Sequence, residues 1–403
     1  MQTTQPHRRL RAVPLFPIAI FFFTMCQPLQ AQLSDSLQAQ LQERYQEAQG
    51  LISTYQFDEA LEMLSECYIR DSKNLTYLLK IAYCNEQLGR FRDARLFLQS
   101  ALKVDSTNRE ALIALAGIHE RTANVREARA LYQQLIELDS TNSFYWKRSG
   151  YMAMRQGAIY AAITDFLQAH RRNEGDLETI DQLTSLYLKL EQLPFAEEIL
   201  KKGLRLDQQS IRLLQHEARL RYKQKDYEAV VNALERTMVQ GDTTAYYQML
   251  AGVSYLHLDS IEQAFFHLQS LIDKGEETEH THHYLGLCYQ RKGDLEAAKR
   301  HLGKAIELGL SPKIEQYHAD LGGLEEETKD YKSAIYHFEK AYDYGKDPDN
   351  LFQLARNCNL YYRDKSIALR YYRKYLESGA GKYRSYTEER IAQLKEAIHF
   401  QGQ

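Results

Sequence analysis

The sequence is short of residues that interrupt or cross-link a chain. It has seven prolines in 403 residues, four of them within the first 31. The other three, Pro194, Pro312 and Pro348, stand at helix starts or between repeated units, so no later helix interior is broken. Alternating β-branched runs are missing, which excludes a sheet-based fold and leaves an all-α one. The apolar run from Ala12 to Met25 is too short for a comfortable membrane span, and Pro14 and Pro17 interrupt it.

Catalytic spacings are also missing. There is no Gly-rich loop ending in Lys-Ser or Lys-Thr to cradle phosphate, no paired Cys-x-x-Cys and no Gly-x-Ser-x-Gly turn. His216-Glu217 opens like a zinc-protease helix, but Leu220 stands where the second histidine must be. No stretch is left over for a catalytic domain, so the chain reads as a non-enzyme without a cofactor. Nor is there a basic stripe. The net charge is −3, and without the first 31 residues 48 basic face 54 acidic residues, a net of −6. That balance argues against nucleic acid as a partner.

What is present is a repeated unit, clearest from Glu279 to Pro312. His282, Leu285, Gly286 and Tyr289 recur at helical spacing, Gly293-Asp294 breaks the run, and Leu295, Ala298, Leu302 and Ala305 resume it. The spacing predicts two antiparallel amphipathic helices joined by a tight turn. A small residue falls in the second helix at Ala60, Ala94, Ala128, Ala162, Ala196, Val230, Ala264 and Ala298 at steps of 34, then at Ala334 and Ala368. Twelve earlier stand Ala48, Ala82, Ala116, Gly150, Thr184, Ala218, Gly252, Gly286, Gly322 and Arg356, with Ala355 as the substitute in the last unit if its turn is one residue longer. Four after each second-helix position comes a large apolar residue, from Leu64 and Leu98 to Phe338 and Tyr372. One unit cannot bury such a face alone and must stack on copies of itself.

These columns resemble the tetratricopeptide repeat, whose 34-residue helix–turn–helix carries Trp, Leu, Gly, Tyr, Ala, Phe, Ala and Pro at set positions. Trp146, the only tryptophan, occupies the family's Trp position in the fourth unit. The resemblance implies a right-handed α-solenoid over 41–382, in units 41–74, 75–108, 109–142, 143–176, 177–210, 211–244, 245–278, 279–312, 315–348 and 349–382. A lead-in precedes it at 32–40, and a capping helix follows within 383–403. Thr387 is the expected cap of that helix, with Ile391, Leu394 and Ile398 on its buried face. A two-residue insertion near Leu310 to Ile314 is the expected flex point. In the junctions Asp105-Ser106-Thr107-Asn108 and Asp139-Ser140-Thr141-Asn142, Ser stands where the family usually has Pro, and Ser, Asp and Asn there can accept from the free amides of the next helix.

The family's common activity is to hold proteins or peptides, which makes a protein or peptide the expected partner. In it, first-helix positions 2, 5, 9, 12 and 13 line the concave groove. Carried over, these are Phe144, Lys147, Tyr151, Met154 and Arg155; Arg212, Gln215, Arg219, Tyr222 and Lys223; and Tyr246, Met249, Val253, Leu256 and His257. The Lys and Asn pattern with which some members clamp a C-terminal carboxylate is absent.

His280, His282 and His283, with His257 one unit earlier, are the one constellation with metal-ligand character. His282 occupies the family's Trp position and reads as packing, so no metal site is expected. Glu325-Glu326-Glu327 reads as a solvated face. Cys67 and Cys84 could pair in an exported protein, but Cys84, Cys288 and Cys358 share one repeated position that suits a compact buried side chain, which is the preferred reading.

His7, Arg8, Arg9 and Arg11 give a basic head, followed by the apolar run and Leu29-Gln30-Ala31 before Gln32. Together they predict a cleaved signal peptide at 1–31, export to the periplasm and no integral membrane segment in the mature chain. Lipidation at Cys26 is the rival, although Met25 stands where a small residue is wanted.

Overall fold

The structure, a computed structural model, describes residues 37–309 and 312–401. The export signal, Cys26 and the first part of the two-residue insertion lie outside the described residues. Among the described residues all regular structure is helical.

Two compact units divide between Thr179 and Ile180. The first holds α1 (37–53), α2 (Phe57–Arg70), α3 (Leu75–Gln87), α4 (Phe91–Val104), α5 (Arg109–Arg121), α6 (Val125–Leu138), α7 (Ser143–Arg155), α8 (Ile159–Arg172) and the start of α9 (Leu177–Lys189). The second holds the rest of α9, then α10 (Leu193–Leu206), α11 (Ile211–Lys223), α12 (Tyr227–Val239), α13 (Ala245–His257), α14 (Ile261–Asp273), α15 (Glu279–Arg291), α16 (Leu295–Leu308), α17 (Ile314–Glu327), α18 (Tyr331–Gly345), α19 (Pro348–Tyr361), α20 (Lys365–Glu377) and α21 (Arg384–Gln401). Successive helices pack on one another from α2 to α8 and from α10 to α21.

The small-residue columns mark the helix crossings. Ala60, Ala94, Ala128, Ala162, Ala196, Val230, Ala264, Ala298, Ala334 and Ala368 are all fully buried. A Cβ on Gly286 would lie 2.8 Å from Leu302 Cγ, and one on Gly252 would lie 2.8 Å from Leu268 Cγ, so the large residue sixteen positions later fills the space that glycine leaves open. In the last pair Ala355 takes the buried place with Phe338, Ala368 and Tyr372. Arg356 turns outward instead, its Nη2 2.6 Å from Glu326 Oε1.

The turn inside each pair has its own period. Tyr55, Gly89, Ala123, Gly157, Glu191, Lys225, Asp259 and Gly293, each 34 after the last, and then Lys329, all have φ between 58° and 80°. Only three of these nine left-handed positions carry glycine, the residue that adopts that conformation without cost. At the junctions Asn74, Asn108 and Asn142 cap α3, α5 and α7 by accepting from Thr76, Ala111 and Phe144 amides at 3.0, 2.9 and 3.0 Å.

Two expectations are corrected here. α21 starts at Arg384, so Thr387 is not its cap; it is buried inside the helix and its hydroxyl donates to the Tyr383 carbonyl at 2.8 Å. The entry to α21 is fixed by the Tyr375 hydroxyl, which accepts the Tyr383 amide at 2.8 Å, and by Phe352 stacked on Tyr383 at 4.0 Å. Ile391 and Leu394 are buried and Ile398 packs against the same core, as the helical spacing requires. Glu325-Glu326-Glu327 is not a solvated face either. Glu325 is 8% exposed, Glu326 accepts from Arg356 and Asn357, and Glu327 accepts from Gln290. The cysteines follow the preferred reading: Cys67 and Cys84 are not bonded, and Cys67, Cys84, Cys288 and Cys358 are all free and buried. Burial pushes the Cys84 and Cys288 thiols up to about 11 and Cys358 up to about 12, so they stay protonated and unreactive.

Candidate partner-binding grooves

Each unit has a groove floored by first helices. In the first unit it measures about 780 Å³ and runs over α5, between α3 and α7. Ile113, Ala114 and Gly117 form the floor, and a Cβ on Gly117 would meet nothing within 4 Å. Tyr132 and Phe144 form an apolar wall with rings edge to face at 6.4 Å. Ion pairs close the ends, Arg121 with Glu86 and Arg148 with Glu120.

In the second unit a groove of about 510 Å³ lies between the N-terminal ends of α13 and α15. Tyr246, Met249, Leu271 and Leu308 supply its apolar lining, and Glu276, Glu277 and Glu279 its rim. The left-handed Gly275 (φ +77°) ends α14 early, and Thr278 then caps α15 by accepting from the Thr281 amide at 3.1 Å. The sequence thereby places three carboxylates beside an exposed tyrosine.

Two family models, each described as tetratricopeptide repeat, match residues 87–148 and 285–350. The chain is a tetratricopeptide-repeat protein. Tetratricopeptide repeats act in general as non-catalytic scaffolds for protein or peptide partners. Similar solved structures include a tetratricopeptide repeat protein from Parabacteroides merdae ATCC 43184, 17% identical over 60% of this chain and 96% of that one, with a TM-score of 0.43. Cut9–Hcn1 of an APC/C hetero-tetramer is 17% identical over 86% and 75%, with a TM-score of 0.46. YrrB, described as having an unusual peptide-binding site, is 16% identical over 49% and 97%, with a TM-score of 0.41. No curated protein matches significantly. Among the described residues no helix of this tetratricopeptide-repeat protein is long and apolar enough to cross a membrane.

The residues carried over to the groove have different fates. Phe144 lines the first groove and Tyr246 and Met249 the second. Lys147 is tied to Asp176 and Glu178 at 2.9 and 2.8 Å, and the Tyr151 hydroxyl donates to Glu178 at 2.7 Å while its ring packs on Phe166. Those two hydrogen bonds, from Lys147 and Tyr151, hold the Glu178 carboxyl below its usual range. Met154 is half-buried, and Arg155 donates to the Glu120 carbonyl at 3.3 Å.

In the second unit Arg212 lies 3.7 Å from Asp181, Gln215 donates to Asp242 at 2.8 Å, Arg219 approaches His216 at 3.5 Å, and Lys223 pairs with Glu191 at 2.8 Å. Tyr222 and Tyr227 meet edge to face at 5.8 Å, and His257 stacks on Tyr227 at 4.2 Å. Burial, with Tyr284, Tyr227 and Tyr246 nearby, pushes Tyr222 up to about 12, so the phenol stays neutral. Leu256 is a correction. It is 5% exposed and packs in the α13–α14 core with Leu268, and Val253 is buried likewise, because α13 is apolar on nearly every side.

The histidines take separate partners. His282 is buried against His301, His283 lies 2.6 Å from Asp320, and His280 Nδ1 lies 2.9 Å from the Tyr317 hydroxyl. Trp146 donates its indole N–H to the Ser140 carbonyl at 2.9 Å, under the Arg172 guanidinium. Ile113 and Gly117 occupy the same first-helix positions one repeat before Lys147 and Tyr151, so the column rule could have found them. Leu271, Leu308, Glu276 and Glu277 lie outside those columns, and the rule could not.

Proposed function

We propose that this chain is a non-enzymatic binding scaffold of the bacterial cell envelope, exported to the periplasm, that holds a protein or peptide partner against its first helices. One observation carries the reading: each unit keeps an open groove there with a large exposed anchor, Phe144 at 43% and Tyr246 at 57% exposure. Interface cores favour aromatic and Met side chains of this kind. Export is supported by the basic head, the short apolar run and the Ala31-Gln32 junction of the sequence. A site on the outer membrane or outside the cell would carry the same signal.

A second reading, a structural subunit of an envelope assembly or secretion complex, is favoured by the second helices. These expose Tyr160, Phe266 and Tyr336 at 72%, 69% and 52%. Light scattering on the purified mature protein, followed by capture from envelope extract, separates the two. A monomer that captures a partner supports the scaffold, and an obligate assembly supports the subunit. A native protein that begins at Met1 and fractionates with cytosol removes the envelope from both.

A further inference from the structure

We infer that the groove between the N-terminal ends of α13 and α15 takes a peptide segment in which a large apolar side chain stands beside lysine or arginine. The inference rests on the scaffold reading and specifies the ligand of one of its sites.

The lining calls for an apolar side chain. Met249 and Leu308 flank the groove, Leu271 closes it at 1% exposure, and the Tyr246 ring stands over half open. Burying such a surface is favourable wherever the entering group needs no polar partner.

The rim calls for a cation. Its carboxylates differ from those of the preceding junction. There Asp242 is spent inside the protein, accepting from the Thr244 amide and hydroxyl at 3.0 and 2.6 Å and from Gln215 at 2.8 Å. Glu276 occupies the equivalent place, two residues before the capping Thr278, yet it is exposed and, among the described residues, no side-chain hydrogen bond or ion pair holds its carboxylate. Glu277 is half exposed and stands 3.7 Å from His282, and Glu279 stands 3.3 Å from His280.

The opposing charges here are few. Lys274 donates to Gln248 at 3.2 Å, and Lys313 stands near enough to His280 to oppose its protonation. Burial, with Lys313, lowers the His280 pKa, so that ring adds no positive charge at neutral pH. A lysine or arginine arriving with an apolar neighbour would lay its methylene stem along Tyr246 and Met249 and hold its charge at Glu276 and Glu277. It would also meet the Tyr246 ring face, a second attraction that a carboxylate lacks.

The test uses three labelled, end-capped heptapeptides on the intact protein, followed by fluorescence anisotropy. The probes are Gly-Ser-Leu-Lys-Lys-Ser-Gly, its Glu-Glu counterpart and its Ala-Lys-Lys counterpart. The Leu-Lys-Lys peptide should bind about tenfold or more tightly than either control. Tyr246→Ala should abolish that preference, and Glu276→Gln with Glu277→Gln should remove its salt dependence. The Glu→Gln pair keeps side-chain size, so it remains informative if Tyr246→Ala disturbs the fold. Equal binding of all three peptides, no binding of any, or a lysine preference that survives both variants overturns the inference. Partner capture from envelope extract, measured in parallel, keeps the two readings apart: capture without a lysine preference removes this groove and leaves the scaffold standing.

Discussion

The Nδ1 atoms of His318 and His337 lie 2.8 Å apart, so one ring donates to the other and the pair has room for one proton between them. The relation recurs one repeat earlier, where His282 and His301 face each other through Nδ1 at 3.0 Å. Around the later pair stand Tyr344, stacked on His318, and Glu325, whose Oε1 is 3.7 Å from His337 Nε2; Lys340 adds a like charge near His318.

Acid should therefore destabilise the second unit. Burial, with His318 beside it, lowers His337 from 6.5 to about 4, and burial is also the main cause of the lowered values of His301 and His318. A native pKa below the unfolded one gives stability that is full above pH 6.5 and lost as pH falls through about 4. Glu325 acts in the opposite sense. Burial and Asp330 raise it from 4.5 to about 7, so its contribution is full below pH 4.5 and lost as pH rises through 7. His257, His267 and His280 are lowered by burial as well, against Glu315 and Glu325 raised, so melting temperature should fall below pH 6.5. His337→Gln should flatten that decline and Glu325→Gln the one near neutrality. Unchanged pH profiles in both variants would refute the assignment.

Crossings and surfaces should respond differently to added or removed atoms. Gly286→Ala places a methyl 2.8 Å from Leu302 Cγ and should cost about 1–3 kcal/mol. Lys202→Ala removes only an exposed pair with Glu198 at 3.1 Å and should change stability by less than about 0.5 kcal/mol. Denaturant midpoints decide it, and equal losses at both sites would contradict the packing.

The crossings were readable because small residues recur at a fixed step, and a column can be counted. The pairings across first helices were not. Lys147 finds Glu178, and Glu326 finds Arg356, about one repeat away, where the sequence offers several charges of either sign and only the stacking chooses among them. Hence the sequence exposed the Glu325-Glu326-Glu327 run to solvent while the structure buries or binds all three. Leu256 was misplaced for a related reason: position 12 faces the groove in the carried-over pattern, but α13 is enclosed there by α14 and α15. The His318–His337 contact joins residues 19 apart on facing helices, a spacing that neither helical nor strand periodicity marks.

The turn period offers a stabilising substitution. Ala123 has φ +58° where its neighbours Gly89 and Gly157 have +74°. Ala123→Gly relieves a left-handed side-chain clash at some cost in unfolded-chain entropy, for a net gain of about 0.5–1 kcal/mol. Gly157→Ala should lose a similar amount. A thermal melt in which Ala123→Gly is the less stable protein would show that the turn is not strained.

The two exposed anchors allow the grooves to be tested one at a time. Neither Phe144 nor Tyr246 is buried, so replacing either should leave helicity and melting temperature nearly unchanged. Tyr151 is a poorer probe, because its ring packs on Phe166 and its hydroxyl holds Glu178. Truncating an aromatic anchor that a partner desolvates commonly costs about 2 kcal/mol or more, roughly thirtyfold in affinity. Phe144→Ala should therefore weaken capture by the first groove and Tyr246→Ala capture by the second, while Lys202→Ala on an outer helix weakens neither. A partner that spans both grooves loses affinity in each single variant and more in the double one, whereas a partner confined to one groove responds to one substitution alone. Undiminished capture by the double variant would move the binding surface to the second helices, where Tyr160, Phe266 and Tyr336 stand exposed.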